Sequence, residues 1–137
     1  AIIIFRKTEC GKMAIDTFKK GSIEMLTLLI MRETDIYGYQ LVHLLKERSK
    51  GIITVQEGSL YPLLYRMVDA GYISGRDETV ETKFGRRRTR VVYYMEPKGI
   101  LRLEQLEKEY YEVQEGIENV FRYSQEHRSE SSGWTGG

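Results

Sequence analysis

The chain has 137 residues, of which 41% are apolar and 30% charged, a composition that fits one globular domain with room for an appended helix. Its formal net charge is only +1, and a single cysteine with two histidines supplies neither an intramolecular disulfide nor a zinc-ligand set, so no metal and no cofactor are expected. No apolar run nears the roughly 18 residues of a membrane span, and Ala1 to Phe5 is too short and wrongly flanked for a signal peptide; a reducing, cytoplasmic setting fits best.

Met13 stands just before the first strongly patterned segment. Residues 1–13 are therefore expected to be a leader, either native or vector-derived, and Cys10 falls within it. From Ser22 to Arg32 the sequence is apolar on nearly every side, the pattern of a central helix wedged between partners. Glu33 to Ile36 breaks it. Tyr37, Leu41, Leu44, Leu45 and Arg48 then follow at helical spacing, which predicts a second, amphipathic helix ending at Gly51. The β-branched run Ile52-Ile53-Thr54-Val55 reads either as a small strand or as an extended linker.

A third helix ends at Gly71. Thr54 to Glu57 has capping-box form and Ser59 is a competing cap, with Pro62 favouring the later start because a proline is tolerated best near a helix beginning. Leu60, Leu63, Leu64, Met67 and Val68 share one face at 100° per residue. The opposite face carries Gly58, Ser59, Pro62, Tyr65, Arg66 and Asp69, with Tyr61 at the edge.

Tyr72-Ile73-Ser74-Gly75 begins a strand whose natural partner is Thr89 to Met95, so the two form a hairpin. Lys83-Phe84-Gly85-Arg86-Arg87-Arg88 between them makes a long basic tip. The weak overall charge hides a segregation here. Between Tyr72 and Met95 six basic side chains oppose three acidic ones, whereas from Glu96 to Glu126 eight glutamates oppose four basic residues.

Pro97 suits the first turn of a last and longest helix. Leu103, Leu106, Tyr110, Val113, Ile117 and Val120 form a stripe spaced alternately three and four residues apart, the seam of a helix that faces another helix. Pairing with the same helix of a second copy is favoured over packing within one subunit. Gly116 makes this helix marginal alone. The Ser/Gly-rich end, residues 127–137, reads as a flexible tail.

The fold class expected is thus mainly α with a small β-hairpin: a winged helix-turn-helix over residues 14–95 with a long C-terminal dimerisation helix over 96–126. In such an architecture Arg66 can make a bidentate contact to guanine. Ser59, Tyr61 and either Tyr37 or Tyr39 can donate to phosphates, while Lys83, Arg86, Arg87, Arg88 and Arg90 grip phosphate or enter a minor groove. Simpler roles compete with these: an Arg66–Asp69 pair, a solvated hairpin tip, and core or rim positions for Tyr37, Tyr39, Tyr61 and Tyr65.

Three stretches also carry a resemblance. Tyr37-Gly38-Tyr39-Gln40-Leu41, then Glu57-Gly58-Ser59-Leu60-Tyr61-Pro62-Leu63-Leu64 with Gly71-Tyr72-Ile73, and Arg90 through Tyr93 to Gly99 resemble the PadR family of bacterial transcriptional regulators over about residues 20 to 125. The Gly-Ser-Leu-Tyr-Pro-Leu-Leu stretch is its most specific part. The resemblance implies a homodimer joined through the C-terminal helix, repression at a double-stranded DNA operator, and release by a small hydrophobic or phenolic ligand. By motif it puts Ser59, Tyr61 and Pro62 on the recognition helix, with Tyr65 and Arg66 following. The wing is longer than is usual in that family, and Met95-Glu96 stands where Leu-Thr is common. A ligand cavity lined by Met25, Leu106 and Tyr110 is one expectation for the dimer, and dense packing without a pocket is the other. A winged-helix adaptor that binds an acidic protein is the competing function. Catalysis is not expected, since His43, His127 and Cys10 form no nucleophile–base set.

Overall fold

The computed structural model describes residues 12–128, with side chains from residue 21 onward. Its elements run α1 (Lys12–Glu33), β1 (Ile36–Tyr37), α2 (Gly38–Arg48), α3 (Glu57–Asp69), β2 (Ile73–Glu81), β3 (Arg87–Met95) and α4 (Pro97–Glu126). The expectations for Cys10, for most of the leader and for the end of the tail fall outside the described residues.

The segment Ser22–Arg32 is central, as its all-round apolarity implies. Ile23, Met25, Thr27, Leu28, Ile30 and Met31 are buried, and α1 packs against α2, β3 and α4. The helix also reaches back to Lys12, ten residues before that pattern begins. Extending a nucleated helix fixes one residue per added hydrogen bond, so it needs no apolar periodicity of its own.

The third strand lies at Ile36–Tyr37, ahead of α2, and the run Ile52–Val55 is an extended linker. Local β-propensity favoured the latter, but pairing partners decide a strand. Ile36 and Tyr37 lie opposite Tyr93 and Val92 on β3, giving an antiparallel sheet in the order β1-β3-β2. The linker is held differently, by the Ile53 N–H donating to Ser49 Oγ at 2.8 Å.

Helix α3 starts at Glu57 after an N-cap at Gln56, earlier than Ser59 and later than Thr54 would set it. The Gln56 carbonyl accepts from the N–H groups of Ser59 and Leu60 at 3.0 and 3.1 Å, and Glu57 sits well in the positive first turn. Pro62 therefore lies in the second turn, not near a start, and the carbonyl it leaves unbonded belongs to exposed Gly58, where water can reach it. At the other end the N–H of Gly71 bonds the Val68 carbonyl and that of Tyr72 the Met67 carbonyl, a Schellman stop with Gly71 at φ +81°. Of the predicted apolar face, Leu60, Leu63, Leu64 and Met67 are buried, whereas Val68 at the edge is 37% exposed.

The hairpin is longer in strand and shorter in tip than its sequence suggests. Arg87 and Arg88 belong to β3, paired with Glu81 and Val80, and the turn is confined to Thr82–Arg86. Nine-residue strands form because every second pair added contributes two ladder bonds even where both faces are wet.

Helix α4 is anchored where it begins. Gly99 lies so close to Tyr72 that a β-carbon there would strike the Tyr72 carbonyl oxygen. Leu103 is 1% exposed within its own chain, and Leu106 and Tyr110 pack on the same core. Arg102 donates to Glu24 Oε1 at 3.1 Å, and this partly buried pair links α4 to α1. That bond raises the Arg102 pKa above its ordinary value, outweighing the opposing cost of burial. The first half of the Leu103–Val120 stripe is thus satisfied by α1, so α4 does fold back on the core over this stretch. Among the described residues no helix is long and apolar enough to cross a membrane.

Candidate nucleic-acid interface

With Leu60, Leu63, Leu64 and Met67 pinned in the core, α3 turns Ser59, Pro62, Tyr65, Arg66 and Asp69 outward. No Arg66–Asp69 ion pair forms among the described residues, which leaves the Arg66 guanidinium open to an external acceptor. Tyr61 takes the edge position expected for it. Its ring lies against the backbone of Gly38, where a β-carbon would stand 2.8 Å from Tyr61 Cε1. Burial, then the nearby Glu57 and Tyr65, raise the Tyr61 pKa above the usual phenol range, with Arg90 pulling the other way. Tyr93 beneath it is raised chiefly by burial. Both phenols are therefore held more firmly as neutral hydroxyls.

The Tyr37-Gly38-Tyr39-Gln40 stretch acquires a physical reading here. Tyr37 closes β1 and starts α2, and its N–H donates to Gln40 Oε1 at 3.0 Å, which satisfies one of the orphan donors at a helix start. Gly38 leaves room for the Tyr61 ring. Tyr39 stacks on Tyr37 with ring centroids 5.8 Å apart and planes 14° off parallel. The Arg90 guanidinium lies 4.6 Å from the Tyr39 ring centroid, a cation–π contact from α2 to the wing. One run of contacts therefore leads from α3 to the wing: Tyr61, Gly38, Tyr39, Arg90.

Alternation along β3 puts Arg88 and Arg90 on one face and Arg87 on the other. Arg86, Arg88, Arg90, Lys83, Tyr37 and Tyr39 line an open groove of about 970 Å³ beside the wing, together with Val80, Thr82, Phe84 and one carboxylate, Glu81. Arg87 is not among the residues that line the groove, although its strand partner Glu81 is. The basic residues stand out in the sequence, whereas Phe84 does not, since its only signal there is an aromatic in a turn. Gly38 and Gln40 were legible only as parts of a motif.

The model of the transcriptional regulator PadR-like family matches residues 26–105, more than half of the chain. This protein belongs to the PadR-like family. A PadR family regulator from Eggerthella lenta is similar in structure, with a TM-score of 0.66 and 23% identity over 82% of this chain and 93% of that one. A PadR-like regulator from Bacillus cereus is 27% identical over 83% of this chain and 97% of that one, with a TM-score of 0.56. Bacillus subtilis PadR in complex with operator DNA shares the fold at a TM-score of 0.54, 21% identical over 61% of this chain and 46% of that one. No curated protein matches the sequence.

The PadR-like match spans α3, the wing and the beginning of α4, and it stops at residue 105. It therefore takes in Tyr37, Tyr39, Ser59, Tyr61, Pro62, Tyr65, Arg66 and the wing arginines, but little of the stripe on α4. Met25 is buried in the core cluster, and Leu106 and Tyr110 are partly covered against the same cluster.

Proposed function

We propose that this protein is a sequence-specific double-stranded DNA-binding regulator, a repressor that acts as a homodimer. The observation that carries this reading is the outward face of α3 joined by the Tyr61–Gly38–Tyr39–Arg90 contacts to a groove lined by Arg86, Arg88 and Arg90. A helix bearing Ser59, Tyr65 and Arg66 can enter a major groove, where an arginine fork matches guanine O6 and N7. The adjoining arginines then lie where phosphates pass, and they contribute affinity that falls steeply with salt. Tyr39 keeps the Arg90 guanidinium oriented, and Tyr61 against Gly38 joins α3, with exposed Pro62 on its outward face, to the start of α2.

Dimerisation through α4 is supported by its outer turns, where Val113 and Val120 remain exposed on the stripe that Leu103 begins. Release by a small hydrophobic or phenolic ligand is supported by the place of Met25 in the core cluster and of Leu106 and Tyr110 at its partly covered margin, and it requires unequal affinity for two dimer geometries.

Selection of duplexes from a random pool tests the reading. The expected winner is two-fold symmetric, with half-sites one helical turn or a multiple apart. An Arg86/Arg87/Arg88→Ala variant should bind it far more weakly with a shallower salt dependence. Absence of any enriched duplex at low salt would instead favour an adaptor that binds an acidic protein.

A further inference from the structure

Phe84 is 90% exposed, the most exposed of the large apolar side chains among the described residues. It occupies the Thr82–Arg86 turn, whose geometry is met by two backbone bonds and by Gly85 at φ +74°, so the turn does not need a phenyl ring in order to form. The ring buries nothing within its own chain. It nevertheless borders the same groove as Lys83, Arg86, Arg88 and Arg90, where four cations outnumber the single carboxylate of Glu81. A solvated tip built only for charge has no use for an apolar ring between Lys83 and Arg86. A tip that meets DNA has one, because phosphates bind the flanking cations while the ring reaches the apolar surface of the duplex, the sugar walls of the minor groove and the base faces that an apolar side chain exposes when it inserts at a step.

We infer that Phe84 is a wedge that enters the minor groove beside the half-site and opens a base step there, held in place by phosphate contacts from Lys83 and Arg86. This rests on the DNA-binding reading above and extends it from contact to deformation. Opening a step is easiest at pyrimidine–purine steps, so the wedge selects flexible TA or CA/TG steps at positions that no side chain reads by hydrogen bonding.

The test uses the full chain and the duplex that the wild type itself selects, with 2-aminopurine placed at the flanking step. If the wild type selects no duplex, the DNA reading fails and takes this inference with it. With binding established, wild-type protein should raise the 2-aminopurine fluorescence, and Phe84→Ala should abolish that rise while leaving the thermal stability unchanged. The same variant should bind about tenfold more weakly, keep the salt slope of the wild type, and lose the preference for a flexible flanking step. Phe84→Leu should retain most of the effect, since a leucine can also wedge. Wild-type affinity and step preference in Phe84→Ala would overturn the inference. So would an affinity loss accompanied by a shallower salt slope, because the ring would then only be orienting the neighbouring cations.

Discussion

The two halves of α4 carry one continuous stripe and meet opposite fates. In the first half Gly99 and Leu103 are buried, Leu106 and Tyr110 lean on the core, and Arg102 and Glu107 pair with Glu24 and Arg32 of α1. In the second half Val113 is 54% and Val120 71% exposed, with Tyr111, Phe121 and Tyr123 also open. A spacing of three and four residues thus announces that a face is to be covered, but it does not say by what. The first half is covered by its own chain, and the second leaves its apolar surface open.

Leu103→Ala attacks the half that is already satisfied and should destabilise the fold by about 4 kcal/mol, as for other fully buried leucines. Denaturant unfolding checks this, and a cost near zero would mean that the core does not depend on α4. Gly99→Ala should cost about 3 kcal/mol, because a β-carbon facing a backbone carbonyl cannot be relieved by turning a side chain. Its melting temperature should drop accordingly, and full retention would mean that the start of α4 is free to shift.

The outer half calls for the opposite signature. A Val113→Asp/Val120→Asp pair should leave the circular dichroism of the head intact while weakening self-association about a hundredfold or more, which sedimentation equilibrium measures. Loss of fold together with loss of association would erase the distinction between the halves. A smaller effect sharpens the comparison from the buried side. Thr27, a fully buried residue of α1, has an Oγ1 with no hydrogen-bond partner among the described residues, so Thr27→Val should raise stability by about 1 kcal/mol. The smallest effect is alkaline. Tyr61 and Tyr93 have pKa values raised above 10.0 in the fold, so the stabilisation from their neutral forms is complete below pH 10 and declines as the pH climbs through the raised values. Tyr93→Phe should flatten that decline in a series of melting temperatures against pH, whereas an unchanged slope would assign it to other groups.

Much of the head was legible because single-element periodicity carried it. The inward set Leu60, Leu63, Leu64 and Met67 and the outward set Ser59, Pro62, Tyr65 and Arg66 follow from 100° per residue alone. Val68 departed from the pattern at the edge of the face, where a few degrees decide exposure. The short strand at Ile36–Tyr37 was illegible for another reason. Two residues hold no period, and they become a strand only because β3 passes within bonding distance. The candidate interface divides in the same way. Arg86, Arg88 and Arg90 stand out as a basic run, but the separation of Arg87 from them depends on where β3 begins, and the stacking of Arg90 on Tyr39 joins residues far apart in the chain.

By itself, the sequence determined which residues each helix turns inward, where α3 stops, and that the wing is basic, because these depend on interactions between near neighbours. Only the tertiary structure decided where the third strand forms, which arginines share a groove, and which half of the α4 stripe its own core consumes. Those outcomes depend on surfaces that meet only after the chain has folded, and no local pattern encodes the distance between them.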